Sequence, residues 1–61
     1  MTVKELRSLT GLSQSDFAKK FNIKTATLQM WEQGVNNTPA HVLFMINRIL
    51  ELEGYPVKEG N

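Results

Sequence analysis

The chain has sixty-one residues, with seven Lys or Arg, six Asp or Glu and one His. That is enough for one small domain, and a chain of this length buries only about 60% of the surface its unfolded form exposes. With a formal charge of +1, no cysteine, 41% apolar and 21% charged residues, the composition excludes a disordered chain, a disulfide framework and a cysteine-ligated zinc site. Stability must therefore come from well-formed helices or from a partner subunit, which favours a dimer. The most apolar run, His41 to Leu50, is interrupted by Asn47 and Arg48 and is too short to cross a bilayer, and no signal-peptide layout is present. The expectation is a cytoplasmic protein with no membrane partner.

The charge is unevenly placed. Residues 1–34 hold Lys4, Arg7, Lys19, Lys20 and Lys24 against Glu5, Asp16 and Glu32, a net +2, whereas residues 35–61 hold Arg48 and Lys58 against Glu51, Glu53 and Glu59, a net −1. An anion-binding face is expected in the N-terminal half.

In chain order, Thr2-x-x-Glu5 is a capping box, and Leu6 and Leu9 follow at helical spacing until Gly11, which predicts a first helix over about 3–9. Ser13 followed by Asp16 repeats the cap logic. Phe17, Ala18 and Phe21 then give the second helix, about 14–21, its apolar face, and Asn22 tolerates the left-handed turn that ends it. After Ile23, either Lys24 or Thr25 can cap a third helix over about 25–33, in which Leu28 and Trp31 are three apart and Gly34 closes the segment. Thr38 is read as the cap of the fourth helix and Pro39 as its first residue, where a missing N–H costs nothing. That helix runs over about 39–52 and is stopped by Gly54 and Pro56. No apolar–polar alternation persists, so no strand competes and the fold class is all-α. The organisation is one domain, 1–54, with a tail, 55–61, loose at its end.

The second and third helices, joined by a turn and anchored by Phe17, Ala18, Ile23 and Leu28, meet the physical requirement of a helix-turn-helix. The run "GLSQSDFAKKFNIKTATLQMWEQG", with Pro39 after it, resembles the Cro/repressor (XRE-type, lambda-repressor-like) helix-turn-helix family. The matching features are Leu12-Ser13-Gln14, Ala18, Ile23, Leu28, Trp31-Glu32, Gly34 and Pro39, and the likeness covers about residues 5–50. Asn22 stands where that family usually has a turn Gly.

The resemblance implies a compact four-helix domain whose third helix enters the DNA major groove while the second crosses the backbone. It assigns base contacts to Thr25, Ala26, Gln29 and Met30. Gln29 suits an adenine edge, Thr25 a base or a thymine methyl, and Ala26 and Met30 offer apolar contact alone. Phosphate contacts are expected from Ser13 and Gln14 at the start of the second helix, from Lys19 and Lys24, and from Asn36, Asn37 and Thr38. Arg7 and Glu32 match an ion pair tying the first helix to the third, and Arg7 could also offer its outer edge to a phosphate.

Other residues have plainer readings. Trp31 fits the core better than a stacking platform for single strands, Met30 could be a gap-filler instead of a base contact, and Lys19-Lys20 could be a solvated face. His41, with no Cys or carboxylate pair near it, reads as a surface or interface residue, and no metal, cofactor or catalytic set is implied.

On the fourth helix Val42, Leu43, Met45, Ile46, Ile49, Leu50 and Leu52 cover about half the circumference, with Phe44 apart beside Asn47, Arg48 and Glu51. The excess over one core points to a dimer contact through Phe44, Arg48, Tyr55 and Val57. The reading at this stage is a dimeric, sequence-specific double-stranded DNA binder, a Cro-like autoregulating repressor from a phage or mobile element, acting on an operator with two-fold related half-sites. The alternative is a protein-interaction module, an antitoxin or inhibitor, using the apolar face of the fourth helix.

Overall fold

The computed structural model describes residues 1–57 and holds four helices: α1 (Val3–Thr10), α2 (Gln14–Lys20), α3 (Thr25–Gln33) and α4 (Ala40–Leu52). No strand occurs among the described residues. The end of the expected tail, residues 58–61, lies outside them.

Local chemistry sets most helix boundaries. At α1 the Glu5 N–H donates to Thr2 Oγ1 at 3.2 Å and the Thr2 N–H donates to Glu5 Oε1 at 2.8 Å, so two otherwise orphaned backbone donors are each satisfied by the other residue's side chain. At α2 the Asp16 N–H donates to Ser13 Oγ at 3.0 Å. The same helix ends at Lys20 with Phe21 as its cap, and Asn22 follows with a φ of 57°, the one left-handed value at a non-glycine residue among the described residues. The Ile23 N–H reaches back to the Ala18 carbonyl at 2.8 Å and the Asn22 N–H to that of Lys19 at 3.2 Å. These two bonds form a Schellman closure that reverses the chain tightly between α2 and α3.

The start of α4 departs from the sequence reading. Pro39, not Thr38, is the cap residue, with ψ at 140° and no side-chain cap bond. The Val42 and Leu43 N–H groups both donate to the Pro39 carbonyl, at 3.0 and 3.1 Å. The ring fixes φ but leaves ψ free, so Pro39 can stand just outside the helix as readily as inside it.

One core holds the helices together. Val3 and Leu6 of α1, Phe17 and Ala18 of α2, Leu28 of α3 and Ile46 and Leu50 of α4 are buried, with Leu9, Leu12, Phe21, Ile23, Trp31, Val42, Leu43, Tyr55 and Val57 packed around them. Phe17 and Phe21 meet as a tilted aromatic pair with centroids 4.9 Å apart. The Lys20–Glu53 ion pair, at 3.0 Å, joins α2 to the end of α4. No helix among the described residues is long and apolar enough to cross a membrane.

Candidate nucleic-acid interface

Burial of Leu28, with Trp31 half-buried beside the core, fixes which side of α3 faces outward. At about 100° per residue, Thr25, Gln29, Ala26 and Met30 occupy an arc of roughly 140° on the opposite side. Ala26, Gln29 and Met30 are exposed and Thr25 is half-buried at the helix start. The four residues therefore present one continuous outer surface with an amide in its middle and a thioether at its end. Gln33, also exposed, extends this face by one turn. The family resemblance, which supplied the four base-facing positions, did not include it.

A polar network holds α3 at a fixed angle to α1. Arg7 Nε donates to Glu32 Oε2 at 2.7 Å and Arg7 Nη2 donates to Glu32 Oε1 at 2.9 Å, a bidentate fork. Arg7 Nη1 also donates to the Leu12 carbonyl at 3.1 Å, and Gln14 Nε2 donates to Glu32 Oε1 at 3.0 Å. The Glu32 side chain is only 4% exposed, against 21% for Arg7. The Arg7 hydrogen bonds hold the Glu32 carboxyl below the usual carboxylate range against the opposing effect of burial, with help from Gln14 and from the charges of Arg7 and Lys4. In return, the Glu32 hydrogen bond raises the Arg7 guanidinium above its ordinary value. One carboxylate thus receives three donors from α1 and α2, and the three helices that would frame a groove-reading surface converge on it.

The residues assigned to phosphate separate into groups. Ser13 is exposed, and its hydroxyl oxygen is already used to cap α2. Gln14 is half-buried, with an amide hydrogen committed to Glu32. Lys19 and Lys24 are exposed, and among the described residues neither pairs with a carboxylate, whereas Lys20 is paired to Glu53. Asn36, Asn37 and Thr38 line an open cleft with Thr2, Lys4 and Trp31. Asn36 makes a contact that spacing along the chain did not signal: its Nδ2 lies 3.8 Å from Met30 Sδ.

The residues assigned to a dimer contact also separate. Phe44 and Arg48 are exposed, with Phe44 at 72%, while Tyr55 and Val57 fold back against the core of their own chain. The Tyr55 N–H donates to the Leu50 carbonyl at 3.0 Å, which starts that return. Met45 and Leu52 are also exposed on α4, at 44% and 74%, with Arg48 between them and Phe44 around the helix.

Comparison with known proteins bears on what such a surface does. A family model described as helix-turn-helix matches residues 3–54. The chain is 40% identical over 50 residues, 82% of its length, to Antitoxin HipB of Escherichia coli K12, and equally to Antitoxin HipB of Escherichia coli O6:H1. The matched region is 57% of the first relative and 53% of the second, so the chain spans about half the length of the curated relatives it matches. No solved structure matches at a comparable level.

Proposed function

The chain belongs to the helix-turn-helix family of the Cro/repressor (XRE) type, and from that membership we propose that it is a sequence-specific double-stranded DNA-binding regulator that represses transcription as a homodimer. The observation that carries the reading is the outward face of α3, where Thr25, Ala26, Gln29 and Met30 stand on a helix braced by Arg7, Gln14 and Glu32. In this reading α3 lies in the major groove. Gln29 pairs with an adenine edge, its amide oxygen accepting and its amide NH2 donating, and Thr25 reads the neighbouring base. Lys19 and Lys24, with Ser13, Asn37 and Thr38, set the register on the phosphates and carry no sequence information themselves.

Dimerisation through the exposed side of α4 that carries Phe44 and Arg48 would set two such helices in successive major grooves about 34 Å apart. The longest extent of one copy is 27 Å, so two copies side by side are of the right scale. Repression is then steric: the dimer occupies an operator that overlaps a promoter, most simply that of its own operon. A gel shift with duplex DNA from upstream of its own gene tests this. A specific complex lost on Gln29→Ala supports the reading, and no specific complex at low salt refutes it.

A second reading is favoured by the exposed apolar residues of α4 and by the likeness to antitoxins. Here Phe44, Met45 and Leu52 receive a protein partner, as an antitoxin or inhibitor would. That reading predicts a monomer by sedimentation, and a complex with the partner that tolerates salt far better than a protein–DNA complex does.

A further inference from the structure

We propose that Asn36 is a positioning residue that holds Met30 for reading a thymine methyl, and that it is not a phosphate contact. The proposal rests on the DNA-binding reading above. It starts from a local device at the end of α3. Gly34 has φ at 80°, the Val35 N–H donates to the Met30 carbonyl at 3.0 Å, and the Gly34 N–H donates to that of Trp31 at 3.3 Å. This closure folds the chain back over the last turn of α3 and brings Asn36 to the side where Met30 emerges. There the Asn36 amide points an N–H at the Met30 thioether sulfur, 3.8 Å away.

A methionine that is 37% exposed has three rotatable bonds, and packing alone leaves its outer end a choice of rotamers. A donor on its sulfur narrows that choice. The side chain so held lies one helical turn from exposed Ala26, its neighbour at i−4. Together they make an apolar patch on the groove-facing side of α3, next to the polar Gln29. In the major groove the one apolar feature that a base edge presents is the C5 methyl of thymine. An apolar patch at that place has a single partner to select, and the Asn36 to sulfur contact fixes where the methyl must sit. The discrimination is then adenine by Gln29 and an adjoining thymine by Met30 with Ala26.

The test uses duplexes enriched by the full chain from a randomised pool, with deoxyuridine replacing each thymidine in turn so that only the methyl is removed. At one thymine in each half-site the wild type should bind the uridine duplex about fourfold more weakly, the change one buried methyl supports. Asn36→Ala should bring that ratio to below about twofold while leaving affinity for the uridine duplex close to wild type. In a Met30→Leu background, which lacks the sulfur acceptor, adding Asn36→Ala should change nothing further.

The proposal is overturned if no thymine methyl matters, or if its removal matters equally in wild type and Asn36→Ala. It is also overturned if Asn36→Ala weakens both duplexes alike, which is what losing a neutral phosphate contact would do. Failure to enrich any duplex would remove the DNA-binding reading and this proposal with it, whereas enrichment without methyl dependence removes this proposal alone.

Discussion

Replacing Glu32 by alanine tests whether the polar network at the base of α3 holds the fold. The substitution removes a carboxylate that is 4% exposed and accepts two hydrogen bonds from Arg7 and one from Gln14, at 2.7, 2.9 and 3.0 Å. Breaking a buried ion pair by deleting one partner costs about 3–5 kcal/mol. Arg7 is 21% exposed and can turn partly to water, and Gln14 is only half-buried, so the loss should fall at or below the bottom of that range, about 2–3 kcal/mol. For a domain of this size that is a fall in Tm of roughly 10–20 °C.

The effect should also depend on pH. Arg7 holds the Glu32 carboxyl below the usual range in the fold, so its contribution is fully present above the unfolded carboxylate pKa of about 4.3. It is lost as pH falls from there through the folded value. Thermal melts followed by far-ultraviolet circular dichroism at neutral pH and at a series of acid pH values would show this. Wild type and Glu32→Ala should differ widely at pH 7 and converge in acid. A shift under about 3 °C at pH 7, or a gap that persists unchanged in acid, would refute the reasoning.

Substitutions at three further positions separate folding from recognition. Gln29→Ala should weaken binding to the specific duplex by about 1–3 kcal/mol with Tm unchanged, because the side chain is exposed; equal weakening on random DNA in an anisotropy titration would show that it reads no base. Asn22→Ala, at φ 57°, should cost about 1 kcal/mol in a urea melt while Asn22→Gly stays near neutral; equal effects would mean that the left-handed turn carries no strain. Phe44→Glu should convert a dimer to a monomer in sedimentation equilibrium without lowering Tm, since Phe44 is 72% exposed; an unchanged mass would place any self-association elsewhere.

Much of the fold can be read directly from short-range patterns. Thr2 with Glu5, Ser13 with Asp16, Asn22 and Gly34 act on neighbours within a turn or so of the chain, and each produces in the structure the boundary its chemistry suggests. Pro39 marks where this kind of inference weakens, because a ring that fixes φ leaves the helix start to ψ. Contacts made by folding are another matter. Gln14 reaches Glu32 across eighteen positions and Lys20 reaches Glu53 across thirty-three, pairings that depend on how the helices pack and leave no periodic trace. For the same reason Tyr55 and Val57, apolar residues beyond the last helix, look like candidates for a partner's surface yet pack on their own core. The outward residues of α3 came from the family resemblance, and in the structure the buried Leu28 and half-buried Trp31 leave them facing away. The Asn36 contact with Met30 was not legible in the sequence, since it depends on the reversal at Gly34.

The account stands most directly on one titration: fluorescence anisotropy of the chain against a duplex from upstream of its own gene and a scrambled duplex of equal composition, over a range of salt. With Lys19 and Lys24 of each copy on phosphates, log K should fall with log salt at a slope of about −3.6 for four cations, and the upstream duplex should bind at least about a thousandfold tighter than the scrambled one. Equal affinity for the two duplexes, or no binding to either at low salt, would contradict the claim that α3 reads DNA sequence.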